Sequence, residues 1–197
     1  MKNCLLICLS VFTLLSCGGS KSAAEKKDTG SYIAPGYERK KYKKIMVIAL
    51  LQQTVFRKRV EKALVDQLRD RKFNVVGSTE IFPDEMLNDT LQMHKTAEEN
   101  GIDAAVVIST LGTNSKTVDR VFLSGSFYGF YGFNFYIIDL ESRNAQVIYM
   151  QMDFLVADKL GTQYRVAVPV NISNGSSTAL VQFGLTARNR LISDRIL

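Results

Sequence analysis

Residues 45–51 read Ile-Met-Val-Ile-Ala-Leu-Leu, an apolar run with no polar alternate. A strand with one wet face alternates, whereas a strand covered on both faces does not, so this run reads as the central strand of an α/β sheet. The period then changes. Phe56, Val60, Ala63, Leu64 and Leu68 recur at helical spacing, while Arg57, Lys58, Glu61, Lys62, Asp66, Arg69 and Asp70 fill the other face. That helix is expected to lay one apolar stripe on the sheet and turn its charges to water.

Working forward, residues 73–77 (FNVVG) read as a second short strand. Pro83 and Asp84 open a less regular region, in which Met86, Leu87, Leu91, Met93 and Ala97 supply an apolar side and Asn100-Gly101 a C-terminal stop. Residues 102–111 (IDAAVVISTL) make a third strand. The β-α-β-α-β order asks for parallel strands joined by right-handed crossovers. After Thr113 the pattern becomes strand-like over 133–140 and 145–157, around the turn residues Glu141-Ser142-Arg143-Asn144. Residues 166–172 read as a further strand, which Pro169 confines to an edge, or as a loop. Asn174 to Ser177 should cap a last helix bearing Leu180, Val181, Leu185, Leu191, Ile192 and Ile196. The fold class is thus α/β: a three-layer-like mixed sheet, β-α-β-α-β, followed by an antiparallel hairpin and a C-terminal helix.

Working backward, residues 37–44 (YERKKYKK) hold five bases and one acid. Residues 18–37 are rich in Gly, Ser, Ala and Lys and bury too little to offset their ordering entropy. Residues 1–16 have a positive head and then a twelve-residue apolar stretch, CLLICLSVFTLL. A bilayer-spanning helix needs about 20 residues, but such a stretch suits a signal segment. Leu14-Leu15-Ser16-Cys17 closes it in the manner of a bacterial lipobox, in which the cysteine is lipidated. The expected organisation is therefore a lipoprotein signal peptide over 1–16, a lipidated flexible tether with a basic collar over 17–43, and a single domain over 44–197. As a Gly-rich coil the tether would span roughly 30 Å.

Composition then excludes several chemistries. Of the three cysteines, Cys4 and Cys8 lie in the signal and Cys17 would carry lipid, so the domain has no thiol for a disulfide, a nucleophile or a zinc site. His94 is the single histidine. No metalloprotease helix motif, phosphate-binding Gly-Lys loop or calcium loop is present. Asp103 reads as a cap or hydrogen-bond anchor, and the expectation is no enzyme, no cofactor beyond the lipid on Cys17, and no metal. Without residues 1–16 the formal charge falls from +6 to +5, because one lysine and no acid is lost. The collar bases Arg39, Lys40, Lys41, Lys43 and Lys44 are candidates for contact with a membrane surface, or form a solvated lead-in that keeps the first strand soluble. No nucleic-acid partner is expected.

The segment 124–136, SGSFYGFYGFNFY, is the most unusual. Aromatics give rigid contact area at small entropic cost, and interleaved glycines allow close backbone approach. Phe127, Tyr128, Phe130, Tyr131 and Phe133 are the candidate partner-binding residues; the same pattern would also suit a sugar platform, a lipid-contacting loop or simply a core strand and its lead-in.

The stretch KIMVIALLQQTVFRKRVEKALVDQLRDRKFNVVGSTEIFPDE followed by ENGIDAAVVIST resembles a group of envelope lipoprotein domains. It includes the periplasmic domain of the curli-secretion channel, activator lipoproteins of penicillin-binding proteins and the N-terminal domain of the Tol-system propeller protein. The matching positions are Arg59-Val60-Glu61 with Leu64, and Gly101-Ile102-Asp103-Ala104. The resemblance covers about residues 44–157 and implies non-enzymatic assembly, gating or activation of envelope machinery through protein contact. A pore is not expected, since neither loop holds paired alternating stretches of the roughly 9–11 residues a membrane strand needs. The sequence thus reads as an outer-membrane lipoprotein of a diderm bacterium, facing the periplasm and contacting an unidentified envelope protein. The alternative is a surface-facing lipoprotein that binds a glycan or host protein.

Overall fold

The computed structural model describes residues 30–51, 53–82, 90–113, 147–173 and 175–197. In chain order these form β1 (Tyr32–Ile33), β2 (Ile45–Ala49), α1 (Thr54–Arg69), β3 (Val75–Gly77), α2 (Ser78–Ile81), α3 (Thr90–Glu99), β4 (Ala104–Thr113), β5 (Val147–Val156), β6 (Tyr164–Asn171) and α4 (Ser176–Ser193). The strands make one sheet in the order β1-β6-β5-β4-β2-β3. β2 runs parallel to β3 and β4, whereas β5 and β6 are antiparallel additions beyond β4 and β1 pairs antiparallel with β6.

All five residues of β2 are buried, as its unbroken apolar run requires. Ile45, Val47 and Ala49 face one layer, with Val60, Leu64 and Leu68 of α1 and Phe183, Ala187 and Leu191 of α4. Met46 and Ile48 face the other, with Phe82, and with Met93 and Ala97 of α3. β4 divides likewise, Val106 to the first layer and Val107 to the second. The three-layer α/β class read from sequence is therefore the class observed.

Local details depart from the sequence reading. The hairpin is β5–β6, paired from Val147↔Asn171 to Phe154↔Tyr164. β4 occupies the opposite edge of β5 from Ile148 to Val156; residues 133–140, expected to be the hairpin partner, lie outside the described residues. Pro169 is accommodated because β1 pairs only with Tyr164 and Arg165, so the proline's missing N–H falls on a free stretch of edge. Residues 30–43, expected to be part of the flexible tether, are instead tied to the domain through β1 and through the contacts described below. Asn100-Gly101 does end α3: Gly101 has φ +68, and the N–H of Ile102 reaches the Ala97 carbonyl. The same closure ends α1 with Lys72 and α4 with Arg195 at the left-handed position.

Glu61 was expected on the wet face of α1 and is instead 1% exposed. Its carboxylate accepts hydrogen bonds from the Ala49 N–H (3.0 Å), the Ser78 hydroxyl (2.6 Å), and the N–H and hydroxyl of Thr79 (both 2.9 Å). Arg57, also expected outside, is buried one turn away, with Nε 3.8 Å from the carboxylate. Glu61→Gln keeps the volume but removes the charge and turns one acceptor into a donor. It should cost about 1.5–3 kcal/mol, the range for bonds to a charged group, read as a lower urea midpoint at unchanged slope.

α1 and α4 share the first layer and touch through backbone. A Cβ at Gly184 would sit 2.3 Å from the Ala63 carbonyl oxygen and 2.9 Å from its carbon. Gly→Ala in a helix ordinarily gains about 1 kcal/mol. Here the sign should reverse: Gly184→Ala is expected to lower stability by about 2–3 kcal/mol, the upper range of overpacking, and a midpoint rise in chemical denaturation would contradict the contact.

Candidate functional site

The described part of the collar is fixed by the ends of three strands. Asp103, just before β4, accepts the backbone N–H of Lys43 (2.9 Å) and of Lys44 (3.2 Å) with its carboxylate. Its own N–H donates to the Lys44 carbonyl and its carbonyl accepts from Ala157. The Asn74 side-chain amide donates to the Lys43 carbonyl at 2.7 Å. Asp103 is thus the hydrogen-bond anchor the sequence suggested, binding the lead-in of β2 to the start of β4 and the end of β5.

Upstream, the Tyr37 hydroxyl donates to the Ile196 carbonyl (2.8 Å) and lies 2.9 Å from the Tyr42 hydroxyl. Tyr37 has one proton to give, so Tyr42 is the donor of that second bond. Both rings meet Phe154 of β5 edge-on. Lys40 pairs with Asp158 at 2.8 Å and sits 5.7 Å from the Tyr42 ring centroid. That pair is exposed on both sides and is worth a fraction of a kcal/mol; the tyrosines hold the segment.

Folding the collar this way creates a groove of about 530 Å³ at the N-terminal ends of β2 and β3. Arg39, Lys40, Lys41 and Lys43 line it, and Arg71 and Lys72 enter from the end of α1. Lys44, the fifth collar candidate, is not among the lining residues. Arg71 and Lys72 escaped the sequence reading because a helix-terminal charge pair looks like solvated surface; their one signal was proximity to the Phe73–Gly77 strand, which must lie beside β2. A second, smaller groove along α1, β3 and α2 differs in kind, because acids and bases alternate in its lining and four of them form the Lys62–Asp66 and Arg69–Glu80 pairs.

The other polar clusters are internal. Asp153 and Arg165 face each other across β5 and β6 and form a buried ion pair, with the Gln151 amide donating to the same carboxylate. Burial pushes the Asp153 carboxyl above its ordinary range, and Arg165 opposes that shift. Tyr164 donates to Asp194 at 2.9 Å, joining β6 to the end of α4. His94 is half-buried and lies 3.5 Å from Glu98. Among the described residues there is no metal-holding cluster of His, Cys, Asp or Glu, and no helix is long and apolar enough to cross a membrane. Phe127, Tyr128, Phe130, Tyr131 and Phe133 lie outside the described residues, as does Cys17.

Burial raises the pKa of Tyr37, Tyr42 and Tyr164 above the ordinary phenol value. The folded chain therefore keeps these protons at pH values where the unfolded chain gives them up. Their contribution is complete below about pH 10 and is lost as pH rises beyond it. Urea midpoints should fall steeply above about pH 10, and Tyr42→Phe should make that alkaline slope shallower while lowering stability near neutrality. An unchanged slope would mean Tyr42 is not held neutral by the fold.

No protein-family model and no curated protein matches the chain. Among solved structures, two of the PelC dodecamer from Paraburkholderia phytofirmans are similar at 8% and 7% identity, with TM-scores of 0.43 and 0.40. Each match covers 78% of this chain, and 91% and 94% of the PelC chains. The lipoprotein GNA1162 from Neisseria meningitidis is similar at 12% identity and a TM-score of 0.40, over 77% of this chain and 98% of that one.

Proposed function

We propose that this chain is a lipid-anchored envelope protein that works by contact with another envelope protein, without catalysis and without a cofactor beyond the lipid on Cys17. The observation that carries the reading is the Leu14-Leu15-Ser16-Cys17 sequence placed ahead of a thiol-free domain. The Gly18 that follows the cysteine, where an aspartate would signal retention in the inner membrane, favours the outer membrane; a periplasm-facing domain is proposed with it, for contact with envelope machinery. Motif resemblance to the curli-channel, penicillin-binding-protein-activator and Tol-propeller domains supports assembly or regulation as the mode of action.

The internal use of carboxylates supports a non-catalytic role: Glu61, Asp103, Asp153 and Asp194 each accept hydrogen bonds that close the fold. Partner contact is assigned to Phe127, Tyr128, Phe130, Tyr131 and Phe133. These lie on the connection between β4 and β5, whose near ends pair at Thr113↔Ile148. That connection leaves the sheet at the end opposite Asp103 and the basic groove, since β4 runs between the two. The alternative, a surface-facing binder of a glycan or host protein, uses the same aromatics.

Crosslinking and pull-down from intact cells, with wild type and a Tyr128→Ser/Phe130→Ser/Tyr131→Ser variant, separate these readings. Envelope proteins recovered with wild type and lost with the variant, from a chain resistant to added protease, are the expected result. Equal recovery with both would remove the aromatic segment as the contact. Cleavage by protease in intact cells would favour the surface-facing alternative.

A further inference from the structure

The basic groove carries charge that its own fold does not use. Six bases line it, and Lys40 alone among them is paired with a carboxylate of the described residues. Gathering like charges costs free energy by self-repulsion. The C-terminal dipole of α1 offsets part of that at Arg71 and Lys72, but Arg39, Lys41 and Lys43 lie on no helix. Lys72 adds a second cost. It holds φ +64, a left-handed conformation that glycine adopts freely and other residues adopt at a penalty.

Tyr42, Ile45, Phe73 and Leu197 line the groove together with the bases, so the charges border a concave, partly apolar surface rather than radiating from a convex one. The chain's N-terminal part also reaches the domain at this end. β1 pairs with the first residues of β6, which lie beside the last residues of β5 and the Tyr37–Phe154 contact.

We infer that this groove docks onto the phosphate-bearing headgroups of an anionic membrane surface, with Arg39, Lys41, Lys43, Arg71 and Lys72 as the contacting cations. Charge complementarity selects an anion, and arginine and lysine forks fit phosphate oxygens. The entry of the N-terminal segment at the same end of the sheet as the groove, although at its opposite edge, selects a membrane, because that segment leads back to Cys17. The inference rests on the proposed anchoring there, and it adds an orientation. With the groove against the lipid, the exit of the β4–β5 connection stands away from it by the length of β4, whose ten residues rise ~3.3 Å each, about 30 Å.

The test uses the chain from residue 18, which keeps every described residue and has no lipid. Its co-sedimentation is measured with vesicles of phosphatidylcholine alone and of phosphatidylcholine mixed with phosphatidylglycerol. Binding is expected only to the mixed vesicles and should weaken as salt rises. Arg71→Gln/Lys72→Gln should lower the partition coefficient about thirty-fold, roughly five-fold per base. Lys58→Gln/Lys62→Gln removes the same net charge from the exposed flank of α1 and should leave binding nearly unchanged. Equal loss in the two pairs would reduce the effect to net charge and overturn the inference. So would absence of binding to the mixed vesicles, or saturable binding of inorganic phosphate without vesicle binding. Each of these three outcomes leaves the proposed protein contact standing, because the pull-down does not depend on this groove.

Discussion

Strand β2 and residues 104–108 of β4 are buried on both faces, so their backbone groups cannot turn to water and each must find a partner along the sheet. In β2 the direction of those bonds alternates. The N–H of Ile45 points toward β3 and reaches the Asn74 carbonyl, while the N–H of Leu50 points toward β4 and reaches Ile108. Ala49 therefore points toward β3, which has already ended at Gly77. The carboxylate of Glu61 takes the place of the missing strand. With its other lone pairs it holds Ser78 and Thr79, so the same group that completes β2 also starts α2. Gly77 fits this arrangement, because a Cβ there would come within 3.2 Å of the Glu61 carboxylate.

This explains which parts of the fold were legible in the amino-acid sequence. The apolar run at 45–51 and the Phe56–Leu68 period are dictated by burial alone, and burial is what hydrophobic patterning records. The Asn100-Gly101 stop was legible because a left-handed residue closing a helix favours glycine. Lys72 and Arg195 close helices in the same way without glycine, and so left no signal. Glu61 and Arg57 were misplaced for a related reason. A charged residue on a helix is assigned to water unless something names its partner, and the partner here is a backbone N–H one strand away. Asp153 and Arg165 were hidden alike, since their pairing needs the β5–β6 register.

The short strand β1 was lost to composition. Its neighbourhood is polar and rich in small residues, and only two residues pair. What fixes it is side-chain chemistry further along: Ser31 and Tyr164 hydrogen-bond Asp194, Tyr42 donates to Tyr37, and Tyr37 donates to the Ile196 carbonyl. Ile196 and Leu197 are themselves buried, folded back so that both N–H groups meet the Leu191 carbonyl. The lead-in and the C-terminal residues therefore hold each other against β5 and β6. A hydrophobicity profile does not show that contact, because each half is buried only once the other is present.

The two ends of the sheet consequently differ in chemistry for reasons of topology. Parallel strands place the starts of β2, β3 and β4 together, so the collar before β2 and the α1–β3 turn before β3 are brought side by side. Two charge clusters that are distant in sequence become one basic groove without any residue between them having to specify it. The antiparallel addition of β5 then returns the chain from the other end, so whatever connects β4 to β5 emerges far from the bases. A purely parallel continuation would have carried the chain back toward the groove by way of a crossover. The change from parallel to antiparallel pairing at β4 is thus what separates the cationic end from the end at which the chain leaves β4 and enters β5.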